Sequence, residues 1–151
     1  MATNEYQPTR VFTVEEANAT LPLVRAITND LATLAQEVVE RRERLAVLDV
    51  GRSPNGQKVY SEEVAQIASE LDSDTQALQD FVDELRQLGV EPKGALDGLV
   101  DFPAMLDGRV VFLCWKLGEP QITHWHELEG GFAGRQPIST LRQTPVSPGC
   151  P

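Results

Sequence analysis

The segment Leu99–Leu117, with the sequence LVDFPAMLDGRVVFLCWKL, decides the fold of this chain. It contains two runs rich in apolar, β-branched and aromatic residues, which are typical of strands. The dipeptide Asp107-Gly108 lies between them, and such a pair is a strong signal for a two-residue β-hairpin turn. The sequence therefore predicts antiparallel strands at Leu99–Leu106 and Arg109–Leu117.

A third strand is predicted at Gln121–His126, after the turn signal Gly118-Glu119-Pro120. These three strands would form an antiparallel β-meander within residues 94–138. We expect a two-residue turn at Gly118-Glu119, which fixes the face that each side chain occupies, although a one-residue slip would reverse the faces of a strand. The more apolar face, expected to cover the helices, would then carry Val100, Phe102, Ala104, Val111, Leu113, Trp115, Ile122, His124 and His126. The opposite face would carry Asp101, Pro103, Phe112, Cys114, Thr123 and Trp125.

Two long helices are predicted before the strands, at about residues 23–49 and 61–88. Apolar residues recur there at steps of three and four, which is a heptad seam in each helix. The breaker-rich segment Gly51–Gly56 separates the two helices. We therefore predict an α+β fold, in which a long antiparallel two-helix, coiled-coil-like hairpin packs on the meander. The first seam contains Val24, Ile27, Leu31, Leu34, Val38, Arg41, Leu45 and Leu48, and the second contains Val64, Ile67, Leu71, Asp74, Leu78, Phe81, Leu85 and Leu88.

Local signals define the helix ends. Thr13 and Glu16 have the spacing of a capping box at the start of the first helix. Pro22 predicts a kink or a restart, because proline lacks the N–H of an interior helical residue. Gly89 can supply the left-handed residue that commonly ends a helix. Arg41 and Asp74 interrupt the two seams about one layer apart, where they could pair diagonally across the hairpin or instead extend outward to solvent without meeting.

The composition is that of one ordinary globular domain. The chain has 151 residues, 41% hydrophobic and 24% charged. We divide it into a flexible N-terminus at 1–10, a single domain at 11–138 (hairpin at 11–89, meander at 94–138) and a disordered tail at 139–151. The net charge of −10 argues against a nucleic-acid partner, because phosphate contacts need clustered cations. No apolar run reaches the ~20 residues of a membrane span. The two cysteines and the absence of a secretory signal pattern predict a cytoplasmic protein with reduced thiols.

The motif His124-Trp125-His126 is a candidate metal site. Residues i and i+2 of a strand share a face, so two imidazoles could bind one divalent cation. Glu119 is a nearby carboxylate, and the candidate ligands are therefore His126, His124 and Glu119. The alternative is a pair of ordinary strand histidines with local hydrogen bonds. The glycine-rich segment from Gly130 to Arg135 follows no strand-to-helix pattern, so it is interpreted as a loop and not as a phosphate site.

Several short motifs together resemble a bacterial family known as domain of unknown function 2203. They are Phe12-Thr13-x-x-Glu16-Ala17-Asn18, Leu21-Pro22, Gly98-Leu99-Val100-Asp101-Phe102-Pro103, Asp107-Gly108-Arg109, Leu113-Cys114-Trp115, Gly118-Glu119, Trp125-His126-Glu127 and Gly131-Phe132-x-Gly134-Arg135. The resemblance covers residues 11 to 138. It implies no particular activity, but it marks five polar positions as a candidate ligand-binding cluster, namely Glu16, Asp101, Glu119, His126 and Arg135.

Two classes of function remain open. The first is an interaction or structural module, in which the hairpin docks on a protein partner or on a second copy, most simply as a twofold dimer. The second is a metal- or small-anion-binding protein, with or without enzymatic activity, with a polar site around His126, Glu119, Asp101 and Arg135. A buried salt-bridge network that locks helix to sheet is the purely structural interpretation of the same residues.

Overall fold

The computed structural model describes residues 6–50 and 57–139. Helices α1 (Val14–Val50) and α2 (Gln57–Gln87) precede the strands. The described strands form one antiparallel sheet in chain order, and a turn of 3₁₀-helix at Phe132–Gly134 lies before the last of them. The strands are β1 (Glu91–Gly94), β2 (Leu99–Leu106), β3 (Arg109–Lys116), β4 (His124–Glu127) and β5 (Gln136–Pro137).

The α+β class is therefore correct, but the predicted count of three strands is wrong, since the sheet has five. The two additional strands, β1 and β5, lie at the sheet edges. Each is at most four residues long and contains a proline, so neither carries an alternating pattern that sequence analysis could detect. The predicted loop at 51–56 and nearly all of the predicted tail lie outside the described residues, as do residues 1–5.

Helix α1 begins with the predicted capping box. The Thr13 N–H donates to Glu16 Oε1 and the Glu16 N–H donates to Thr13 Oγ1, both at 3.0 Å. The helix then runs through Pro22 as one element, so the alternative of a restart there is wrong. Leu21 and Val24, on either side of the proline, are buried in the core. Their packing offsets the single hydrogen bond that proline cannot make.

Helix α2 ends at the predicted glycine. The Val90 N–H donates to the Leu85 carbonyl at 3.0 Å and the Gly89 N–H donates to the Arg86 carbonyl at 2.9 Å. These two bonds form a Schellman motif, which requires a left-handed residue at its C′ position. Gly89 has a φ of 91°, which glycine adopts without the steric cost of a side chain. The motif turns the chain directly into β1.

The helices contact each other along their length in opposite directions. Arg41 of α1 pairs with Asp74 of α2 and also with Glu70, whose carboxylate is 3.3 Å from its Nε. Arg44, further along α1, pairs with Glu63, which lies earlier in α2. The predicted contact between Arg41 and Asp74 is thus confirmed. None of the described helices is both long enough and apolar enough to cross a membrane.

One face of the sheet forms the hydrophobic core with the helices. The side chains that meet there include two tryptophans and the apolar residues of α1 nearest its start. This core begins at Phe12 and takes in α1 as far as Leu31, whereas Leu34 and Leu78 are only half-buried. The fully buried members are Ala17, Val24, Leu85, Val90, Phe102, Val111, Leu113 and Trp115.

The predicted faces of His124, Trp125 and His126 are wrong by one residue, whereas Ile122 lies in the core as predicted. The connection from β3 to β4 spans Leu117 to Thr123 and is not a two-residue turn. As a result His126 lies opposite Phe112, and His124 lies opposite Cys114. Trp125 lies opposite Leu113 and joins the core. Both histidines therefore lie on the face away from the helices, which we name the outer face.

Seam residues that differ in burial should differ in how much they contribute to the free energy of unfolding. Leu85 has no exposed surface, so we expect Leu85→Ala to lower the free energy of unfolding by ~2–5 kcal/mol through lost contacts and a cavity. Leu34 is half-buried, and Leu34→Ala should cost less. Urea denaturation of both variants checks this expectation. Equal losses at the two positions would contradict the description of the core.

Candidate functional site

Three side chains of the outer face form a buried polar cluster. Asp101 of β2 lies opposite Cys114 of β3, and His126 of β4 lies diagonally across from Cys114. Each of the three residues is at most 2% exposed. One potential ligand atom from each side chain lies within 4.8 Å of the other two. Strand pairing thus brings a carboxylate, a thiol and an imidazole together inside the protein.

Aromatic rings and a glycine turn cover this cluster. The ring centroid of Phe112 is 5.6 Å from that of His126, and Tyr6 packs on Phe112 at 5.5 Å. After β4 the chain turns back at Gly130, whose N–H donates to the Glu127 carbonyl at 2.9 Å. A Cβ on Gly130 would lie 3.4 Å from the Cβ of His126, so this turn lies directly against the imidazole-bearing residue.

His126 is hydrogen-bonded through both ring nitrogens. Nδ1 lies 2.6 Å from the Glu127 carbonyl oxygen, and Nε2 lies 3.1 Å from each carboxylate oxygen of Asp101. Burial lowers the pKa of His126, but hydrogen bonds to Asp101, Cys114 and the Glu127 carbonyl raise this pKa to about 10. Near neutral pH the imidazole is therefore protonated and forms a buried ion pair with Asp101.

A second ion pair adjoins the cluster. Arg135 Nη2 donates to Glu119 Oε1 at 2.8 Å and to the Cys114 carbonyl oxygen at 3.3 Å. Burial raises the pKa of Glu119, but its hydrogen bonds with Arg135 and with the Lys116 N–H outweigh this and lower it. The Phe132 ring lies 4.5 Å from the guanidinium carbon. Cys114 connects the two pairs, since its side chain contacts His126 and its carbonyl contacts Arg135.

The predicted site residues divide into three places. Asp101 and His126 are together, and Glu119 and Arg135 are together beside them. Glu16 is exposed at the start of α1, where its carboxylate accepts a hydrogen bond from the Thr13 N–H.

The proposed metal ligands are likewise rearranged. His124 is half-buried, and its Nδ1 lies 2.8 Å from Thr123 Oγ1. Neither it nor Glu119 belongs to the group of ligand atoms around His126, which contains Asp101 and Cys114 instead. Cys114 is not among the site residues that the sequence predicts. Its signal was present, because alternation along the predicted hairpin already placed Cys114 on the face of Asp101.

Comparison with known families accounts for nearly all of the described chain. A family model described as an uncharacterized conserved protein, DUF2203, matches residues 10–138. The chain belongs to the DUF2203 family. The match includes all members of the buried cluster and the adjoining ion pair of this DUF2203 chain. Neither the curated proteins nor the solved structures provide a match. The chemistry of the site must therefore be inferred from its geometry.

Two states of the cluster are chemically reasonable. In the first, His126 carries a proton on each nitrogen and the ion pair with Asp101 holds β2 to β4. In the second, Nδ1 keeps its proton and donates to the Glu127 carbonyl, and Nε2 becomes a free ligand atom. A backbone carbonyl is a common partner for the non-ligating nitrogen of a metal-bound histidine. The hydrogen bond of Nδ1 at 2.6 Å suits both states.

The ion pair makes the stability of the metal-free protein depend on pH. The pKa of His126 is about 10 in the folded protein, above the ordinary 6.5, so its contribution is complete below about pH 6.5. It is lost as pH rises toward 10, on the order of a few kcal/mol. We expect the free energy of unfolding, measured with chelator present, to fall across this range. In His126→Gln this fall should largely disappear. The same slope in wild type and variant would disprove the ion pair.

Proposed function

We propose that this protein binds a divalent transition-metal ion through Asp101, Cys114 and His126. The observation that supports this most directly is the mutual approach of one oxygen, one sulfur and one nitrogen atom within 4.8 Å in a buried site. Bonds of about 2.0–2.3 Å place the ligands of a tetrahedral zinc ion roughly 3.5 Å apart. The three donors are close enough that side-chain rotations can reach this arrangement.

The charges of the cluster also fit a divalent cation. Without metal, the imidazolium of His126 balances the carboxylate of Asp101. A metal requires neutral imidazole and thiolate, so His126 and Cys114 must each lose a proton when it binds. Asp101 and Cys114 then balance the double charge of the ion. The buried cluster is neutral in both states, which avoids the cost of an uncompensated charge in the interior.

The donor set favours zinc over the alkaline-earth ions. Mg²⁺ and Ca²⁺ prefer oxygen ligands, whereas thiolate and imidazole suit Zn²⁺ and related ions. The bond from His126 Nδ1 to the Glu127 carbonyl orients the ring and leaves Nε2 directed at Asp101. The three protein ligands come from three neighbouring strands, so the sheet itself fixes their spacing.

Metal titration tests this proposal. We expect one equivalent of Zn²⁺ or Co²⁺ to bind, with a thiolate-to-cobalt charge-transfer band and an increase in melting temperature by mass action. Affinity should rise with pH, because binding releases protons. Cys114→Ser should lower affinity by at least about tenfold and remove the band.

The matched control is His124→Gln, which changes the other histidine of the same strand and face. It should leave metal affinity and the band unchanged. Wild-type protein that binds neither ion at micromolar concentration contradicts the proposal. In that outcome the cluster is a structural ion-pair network.

A second candidate function, self-association, is supported by the part of the helices beyond the sheet. The shared core includes α1 only as far as Leu31 and α2 from Leu78 onward. The nineteen residues of α1 from 32 to 50 extend about 28 Å at ~1.5 Å per residue. Of the seam residues in this arm, Val38 and Ile67 are buried, whereas Leu45 and Leu71 are only half-buried. We propose that the arm is a coiled-coil-like hairpin that pairs with the arm of a second copy.

Molar mass in solution tests the second candidate. Light scattering at micromolar concentration should give twice 16.6 kDa. Val47 lies on the arm and is 69% exposed, so Val47→Glu should lower the dimer fraction. The control is Leu96→Glu, which changes an exposed apolar residue beside the sheet and should leave the mass unchanged. A strict monomer, or sensitivity to the control alone, contradicts association through the arm.

A further inference from the structure

Arg135 has a donor that the described protein does not satisfy. Its side chain is only 12% exposed, and its Nη2 bonds to Glu119 and to the Cys114 carbonyl. Its Nε is buried and has no hydrogen-bond partner among the described residues. A buried donor without a partner is destabilising, and in native proteins it commonly indicates a partner that is not part of the chain. The unmet donor belongs to the guanidinium that contacts the proposed metal ligand Cys114.

The proposed metal site also lacks one ligand. Tetrahedral zinc takes four ligands, and the cluster supplies three. Zinc sites with three protein ligands keep the fourth position for water or an exchangeable ligand. The open ligand position and the arginine with the unpaired donor therefore both adjoin Cys114. The open position belongs to the metal site that includes the Cys114 sulfur, and Arg135 contacts the Cys114 carbonyl oxygen.

We propose that a small carboxylate occupies this fourth position and that Arg135 holds it. The inference rests on the metal binding proposed above and names the class of ligand that the metal takes. The unpaired Nε–H lies on the same edge of the guanidinium as an Nη2–H, so a carboxylate that takes the place of Glu119 on Nη2 can bind through two parallel N–H donors, which gives geometric selectivity as well as attraction. Because Arg135 is largely buried, its charge is less screened by solvent than that of a surface arginine.

The charge balance favours a single negative charge on the ligand. The metal, Asp101 and Cys114 together are neutral, and Glu119 already balances Arg135. The Glu119 side chain is 26% exposed, so a monoanion that displaces it from Arg135 toward solvent keeps this balance, whereas a dianion adds an uncompensated charge to the interior. The Phe132 ring at 4.5 Å covers one face of the guanidinium.

The experiment uses the full chain loaded with Co²⁺ at less than one equivalent. Sodium acetate is titrated while the visible spectrum is recorded, with sodium perchlorate at matched ionic strength as the weakly coordinating reference. Acetate should shift the cobalt bands and perchlorate should not. Arg135→Gln should weaken acetate binding by about tenfold or more, as expected for loss of a charged hydrogen-bond donor, while Co²⁺ affinity changes by less than about threefold.

Two further variants separate ligand binding from structural damage. Glu119→Gln removes the carboxylate that competes for Arg135, so it should strengthen acetate binding, opposite to Arg135→Gln. Arg109→Gln is the control, because Arg109 is an exposed arginine paired with Glu127, and it should change nothing.

The outcomes distinguish this inference from the proposed function. Cobalt binding without any response to acetate overturns the inference and leaves metal binding intact. Loss of acetate binding to the same degree in Arg135→Gln and Glu119→Gln also overturns it, since the ion pair then only maintains the fold. Failure of wild-type protein to bind Co²⁺ overturns the metal site, and the inference with it.

Discussion

The pairing of β2 with β3 determines where every other part of the sheet and its polar cluster lies. Eight consecutive residue pairs join these strands without a shift in register. Asp107 and Gly108 both have positive φ, 51° and 81°, as a two-residue type I′ turn requires. This turn makes the register unique. It directs Phe102 and Leu113 toward the helices and Asp101 and Cys114 toward the outer face.

Because the outer face is covered, this register places a carboxylate in the interior. An ionised Asp101 without a partner would be strongly unfavourable there, so the cluster must contain a cation. Without metal, the raised pKa of His126 keeps the imidazole protonated, so the imidazolium is this cation. With metal bound, the divalent ion would take its place. Stability and the proposed function are therefore properties of one set of atoms, and the proton and the metal compete for the same Nε2.

The features predictable from sequence were those encoded by short, local patterns. The Asp107-Gly108 turn, the Thr13 and Glu16 capping box and the end of α2 at Gly89 each depend on a few adjacent residues. Edge strands β1 and β5 depend on pairing with distant segments and have no pattern of their own. The face of His126 depends on the length of the connection between β3 and β4. The turn signal at Gly118 predicts two residues there, but the connection is longer. The shorter turn places His126 on the opposite face of the predicted sheet from Asp101 and Cys114, so the sequence does not predict that these three residues meet.

The segment after β4 shows why composition alone does not predict the site. Its glycines resemble a flexible loop, yet Gly130 packs against His126 and Arg135 reaches back to Cys114. A purely structural lock between three strands would not need this chemistry. Replacing a buried ion pair by packed apolar residues is often neutral or stabilising, so buried charges are a costly way to hold strands together. The helix side of the same sheet is held by apolar contacts, with Trp115 and Trp125 in the core. A chain that packs one face in this way and brings a carboxylate, a thiol and an imidazole together on the other gives physical support to the proposal that the cluster binds a ligand.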